Sequence, residues 1–134
     1  MELADKLGIR GAIEFRQGVG QEELAKLYRE AAVFVLSSDE EGLGMVILEA
    51  MASGVPAIST RSGGPDGIIT DGVDGVLVPM GQPEALSAAL RQTLQDEPRR
   101  RAMGIAARAT VETRFSMRVA GDAFLRTYAQ LLGQ

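Results

Sequence analysis

The sequence predicts a three-layer α/β/α fold around a parallel sheet, and three observations carry that prediction. Short apolar, β-rich runs alternate with segments of helical periodicity, the pattern of an α/β layer fold. One run, residues 32–36 (AVFVL), is apolar without interruption, as expected of a strand covered on both faces. The chain has 134 residues of which 46% are hydrophobic, enough for one core. Residues 1–134 therefore read as a single domain, with helices dominating from about residue 82 to 134.

The elements follow in order. Residues 2–8 (ELADKLG) predict a short helix, with Leu3 and Leu7 four apart and Gly8 as its stop. A brief strand is expected over 12–15. QGVGQEELAKLYREA reads as a turn and an amphipathic helix, with Leu24, Leu27 and Tyr28 on one face and Glu22 and Glu23 near its positive end. After the 32–36 strand, an acidic turn leads into a helix over 44–53, which Gly54 closes. VPAIST supplies the next strand, Pro56 standing at its start, where a missing N–H does least harm. The Gly- and Asp-rich RSGGPDGIITDGVDG is loop with one helical turn around Ile68 and Ile69, and GVLVP is a fourth strand. Three helices close the chain: one begins at Pro83 with Leu86, Leu90 and Leu94 spaced by four, one restarts after Pro98, and one is capped by Ser116 and carries Val119, Phe124, Tyr128 and Leu131.

An open doubly wound sheet usually has five or six strands and begins on one. Here about four are expected and the first element is a helix. The expectation is a domain lacking its first strand or strands, with Met1 an artificial or misassigned start. The uncovered sheet edge would invite pairing with a second copy.

Composition narrows the chemistry. A formal charge of −4 argues against a nucleic-acid binder. The charge is uneven: residues 1–90 hold 6 basic and 14 acidic residues, and 91–134 hold 8 Arg and 4 acidic residues. Solvated arginine faces account for the second half, the alternative being contact with another domain or an acidic lipid surface. With no Cys and no His, disulfides, thiolates, imidazole bases and His-based zinc sites are excluded. No apolar run reaches the roughly 18 to 20 residues of a membrane span, and the N-terminus lacks a signal-peptide core. A cytoplasmic location is expected.

The chemistry concentrates in SSDEEGLGMVILEAMASG. Its turn lies at the carboxyl end of a parallel strand, where ligands of α/β sheets bind. Gly42 and Gly44 permit a tight turn and close approach of a ligand, while free N–H groups at the following helix favour a phosphate. Glu41 stands in the turn, and Glu49 lies two helical turns on, about 12 Å along the axis. The two are too far apart to share a proton but suit the ends of one extended polyhydroxylated ligand. Glu49 is the only charge between Gly42 and Thr60; it meets a ligand, pairs with an Arg or emerges at the surface. Asp39 and Glu40 read as solvated turn residues. Gly63 and Gly64 form a second glycine loop, after the next strand, that admits a ligand or merely turns the chain. A receiver-type phosphotransfer site would need a lysine from a later strand end, yet Lys6 and Lys26 both precede the acidic turn; the P-loop pattern is absent. Spacing leaves a nucleotide-binding enzyme, a nucleotide-sensing module and an inert interaction domain open.

EEGLGMVILEAMASGVPAISTRSGG resembles the signature of family 4 retaining glycosyltransferases of the GT-B fold, with Glu41 and Glu49 forming its E-x7-E motif. The similarity extends from the early LGI helix through FRQGVGQEELAKLYREAAVFVLSS and DGVDGVLVP to RTYAQLL. The resemblance implies the C-terminal, donor-binding Rossmann-like domain of a two-domain enzyme, N-terminally truncated and without its acceptor-binding domain. It implies Glu41 at the donor-sugar hydroxyls, Gly42, Leu43, Gly44 and Met45 presenting backbone amides to sugar and diphosphate, and Glu49 at the nucleotide ribose. The implied transfer retains anomeric configuration through internal return, needs no metal or other cofactor beyond the nucleotide-sugar substrate, and assigns Glu41 positioning rather than nucleophilic attack.

The sequence departs from that pattern in two places. The Arg/Lys pair that neutralises the donor diphosphate belongs to a strand upstream of this chain. The Gly-Gly loop, commonly GG-x-x-E, has Gly67 at its fifth position and Asp66 one place early. An isolated chain is thus expected to bind donors weakly and to be inactive in transfer. The alternative is a non-catalytic α/β interaction or nucleotide-sensing module. A homodimer through the exposed sheet edge or the interdomain face, and a peripheral membrane position for the parent, complete the expectations.

Overall fold

The computed structural model describes residues 2–131; Met1, expected to be an artificial or misassigned start, and residues 132–134, to which the helices were expected to run, lie outside them. Within these residues β1 (Phe34–Leu36), β2 (Ala57–Thr60) and β3 (Gly75–Val78) form one parallel sheet in that order. Phe34 pairs with Ala57, and Ala57 with Gly75, so the three carboxyl ends are aligned. The helices are α1 (Glu2–Lys6), α2 (Gln21–Glu30), α3 (Met45–Ala52), α4 (Gly64–Ile68), α5 (Pro83–Gln95), α6 (Glu97–Thr110) and α7 (Met117–Leu131).

Alternation along the strands divides the core between two faces. On one, Ala57 and Leu77 join Ile47 and Met51 of α3, Ile68 and Ile69 at the end of α4, and Ala107 of α6. On the other, Ile58 and Val78 pack under Ala89, Leu86 and Leu90 of α5. A third cluster, Tyr28 and Leu24 with Ala50 and Val55, fastens α2 to α3. The three-layer arrangement is as predicted.

Two expectations are corrected, and two of the expected helices form but bury less than their spacing suggests. The strand over 12–15 does not form: a 3-10 turn, Arg10–Ala12, precedes an unpaired segment in which Phe15 is exposed. An extended segment needs a ladder partner, and no described strand offers one, so three strands stand where about four were expected. β1 is not covered on both faces; Val35 is exposed because α5 spans only β2 and β3. Leu3 and Leu7 of α1, whose helix ends at Lys6, are exposed, and α1 buries only Ala4. α7 starts as expected, with the Ser116 hydroxyl accepting the Val119 N–H at 3.3 Å, but its Phe124, Tyr128 and Leu131 face solvent.

Candidate functional site

The site is built by two loops at the carboxyl edge of the sheet. The loop after β1 and the loop after β2 are joined through Glu41, whose N–H donates to the Ser62 carbonyl at 3.0 Å and whose carbonyl accepts the Gly64 N–H at 2.7 Å. The contact leaves no room for a side chain at Gly64: a Cβ there would lie 2.8 Å from both the Glu41 carbonyl oxygen and the Leu43 carbonyl carbon. Gly63 and Gly64, expected to admit a ligand or turn the chain, thus press against the backbone of the acidic turn and hold it.

The same turn is closed by its own side chain. Glu41 Oε1 accepts the Gly44 N–H at 3.1 Å, and Gly44 adopts the left-handed conformation (φ +76°) that turns the chain into α3. The amides of Met45 and Val46, in the first turn of α3, make no hydrogen bond among the described residues. No acidic residue occupies that first turn, so the positive end of α3 opens towards solvent. Gly42, Leu43, Met45 and Val46 are all exposed, giving an apolar strip with Glu41 at one end.

Glu49 stands at the other end. Of the readings the sequence left open for it, pairing with an Arg is not observed: among the described residues no cation bonds it, and it lies exposed on α3. Its Oε2 accepts the Tyr28 hydroxyl at 3.2 Å. Tyr28 is buried on α2, and burial first, then the charge of Glu49 and the hydrogen bond to it, push its phenol up to about 12. Between α2 and α3 lies a groove of about 280 Å³ lined by Gln21, Leu24, Ala25, Tyr28, Glu49 and Ser53. Sequence reading placed Tyr28 on the apolar face of α2 and missed its hydrogen bond to Glu49. The signal was chemical: a buried tyrosine needs a partner for its hydroxyl.

Asp66 does not project from the Gly-Gly loop as a ligand group. Its Oδ2 accepts the Gly63 N–H at 3.3 Å and its Oδ1 pairs with Arg61 at 3.2 Å, while Arg61 also reaches Asp71 at 3.0 Å. From below, Arg114 donates to the carbonyls of Gly67 (3.0 Å) and Ile68 (3.4 Å), fixing the end of α4. Asp39 and Glu40 are exposed, Asp39 lining a separate cavity of about 290 Å³ with Ser37, Thr60 and Gln82. Among the described residues there is no cluster of three potential metal ligands, and no helix is long and apolar enough to cross a membrane.

The family model for glycosyl transferases group 1 matches residues 1–110. The D-inositol 3-phosphate glycosyltransferase of Corynebacterium urealyticum is 41% identical over 102 residues, 76% of this chain and 24% of that protein. Sucrose-phosphate synthase from Thermosynechococcus elongatus superposes with a TM-score of 0.90 at 30% identity, over 98% of this chain and 33% of that one. The C-terminal domain of the group 1 glycosyl transferase LpcC from Francisella tularensis superposes with a TM-score of 0.79 at 26% identity, over 87% of this chain and 60% of that one. The chain thus spans about a quarter to a third of the full-length proteins it matches. It belongs to the group 1 glycosyl transferases and corresponds to part of their C-terminal, Rossmann-like domain.

Proposed function

We propose that this chain holds the nucleotide-sugar donor of a retaining glycosyltransferase, along the exposed strip from Glu41 to Glu49, for transfer to an acceptor bound by a part of the protein outside these 134 residues. The observation that carries the proposal is the joining of three features on one surface: a carboxylate-bearing turn at a strand's carboxyl end, unpartnered amides at the α3 N-terminus, and a second carboxylate two turns along α3. In this reading the Met45 and Val46 amides bind diphosphate oxygens, where the helix dipole favours negative charge. They also stabilise the charge that grows on the diphosphate as its bond to the anomeric carbon breaks.

Glu41 exchanges its bond to the Gly44 amide for hydroxyls of the sugar and orients the ring; it is no nucleophile. The leaving diphosphate takes the acceptor proton on the same face, so no protein base is required. Glu49 accepts the ribose hydroxyls. No metal is required, the amides and the dipole supplying the positive field. The chain alone binds donors weakly and transfers no sugar at a useful rate, because the cations for the diphosphate and the acceptor site lie elsewhere in the enzyme.

Titration of the 15N-labelled chain with UDP-glucose, GDP-mannose and ADP-glucose tests the proposal. At least one should shift the amides of residues 42–46 saturably, and Glu49→Gln should weaken it by about tenfold, the worth of a hydrogen bond to a charged group. Saturable binding of none, or binding that spares residues 42–46, would refute the proposal and favour a non-catalytic interaction module.

A further inference from the structure

The contact between Tyr28 and Glu49 bears on which class of donor the site accepts. The Tyr28 ring is packed against Leu24, Ala50 and Val55 and lies edge-on to Phe34, with centroids 5.7 Å apart and planes at 71°. So placed, its hydroxyl is a fixed donor pointing at one oxygen of Glu49, 3.2 Å away. The raised phenol keeps that proton throughout the neutral range. An exposed glutamate otherwise samples several rotamers, and ordering it on binding opposes affinity. The bond to Tyr28 orders the carboxylate in advance. It leaves Oε1 and one lone pair of Oε2 without a partner among the described residues, beside the groove between α2 and α3.

We infer that Tyr28 clamps Glu49 as the reader of a vicinal diol, which makes the site selective for ribonucleoside diphosphate donors over their 2′-deoxyribonucleoside counterparts. The inference rests on the assignment of Glu49 to the ribose end of the donor. A fixed carboxylate has two oxygens, enough to accept from the 2′- and 3′-hydroxyls together. A 2′-deoxyribose leaves one of them unmet. Tyr28 is here a positioning residue: it acts on the ribose through Glu49.

The test compares UDP, ADP and GDP with their 2′-deoxy forms, on the full chain, by amide-shift titration. The ratio of dissociation constants within each pair cancels the contribution of base and diphosphate. The wild-type ratio should be about tenfold in favour of the ribonucleotide. Tyr28→Phe keeps the ring and its packing, and should reduce the ratio to about threefold by freeing one side chain. Glu49→Gln should reduce it similarly, and in a Glu49→Ala background, which leaves the Tyr28 hydroxyl nothing to clamp, Tyr28→Phe should reduce it no further.

Each outcome decides something. If Glu49→Gln lowers the ratio and Tyr28→Phe does not, the clamp is wrong and the ribose assignment stands. If Tyr28→Phe lowers the ratio in a Glu49→Ala background, Tyr28 meets the ribose itself and the inference is overturned. A wild-type ratio near one, or no saturable shift with any ribonucleotide, removes the ribose assignment and the inference with it.

Discussion

Tyr28 and Gly64 carry predictions at the scale of single residues. With its phenol at about 12 in the folded chain against 10.0 ordinarily, Tyr28 holds its proton in the fold where the unfolded chain has lost it. Its contribution is fully present below pH 10 and is lost as pH rises towards about 12. The stability difference between the wild type and Tyr28→Phe should therefore shift over that interval, in the direction of the wild type losing stability, when denaturant midpoints are compared from pH 9 to 11.5. At Gly64, Ala puts a methyl against backbone that cannot yield, and should destabilise by about 1–3 kcal/mol. Gly67→Ala, with open space around the new Cβ inside α4, should be neutral or stabilising by up to about 1 kcal/mol in the same urea titrations. Glu49 was legible as an anomaly because a charge in an apolar helix stands out. Its bond to Tyr28 was not, because a pairing 21 residues apart in sequence depends on how α2 lies across α3.

At the scale of elements, helix periodicity, the Gly54 stop of α3 and the prolines at the starts of α5 and α6 located α2, α3, α5 and α6 well. Each has an apolar face that a neighbour buries, and burial is what the pattern encodes. The segment over 12–15 has the composition of a strand but no partner among the described residues, and composition does not report pairing. The loop before β3 holds another contact hidden from sequence. Asp74, 1% exposed, accepts the Thr70 N–H and the Thr110 hydroxyl, each at 2.7 Å, tying the loop to α6. Asp74→Ala removes the buried carboxylate that both donors share and should destabilise the chain by about 1–3 kcal/mol, measured by urea unfolding. The double variant with Thr110→Val should be destabilised by less than the sum of the two single changes, because they break the same contact.

The whole molecule has its strand ends, its glycine turn and the open end of α3 on one edge, and that placement follows from parallel strand order. The family was legible because the E-x7-E segment and its flanks resemble one family along nearly the whole chain. The donor's base and sugar were not, because no residue of the strip distinguishes hexoses by its chemistry. The roles proposed for the two ends of the strip differ, and this separates Glu41 from Glu49 in experiment. The decisive measurement takes whichever of UDP-glucose, GDP-mannose and ADP-glucose binds and compares it with its free nucleoside diphosphate on the wild type, Glu41→Gln and Glu49→Gln by amide-shift titration. Glu49→Gln should weaken both ligands by about tenfold, while Glu41→Gln, which keeps an acceptor for the Gly44 amide, should weaken the nucleotide sugar without weakening the nucleoside diphosphate. Equal loss of both ligands in Glu41→Gln, or unchanged affinity in Glu49→Gln, would contradict the assignment of the two ends.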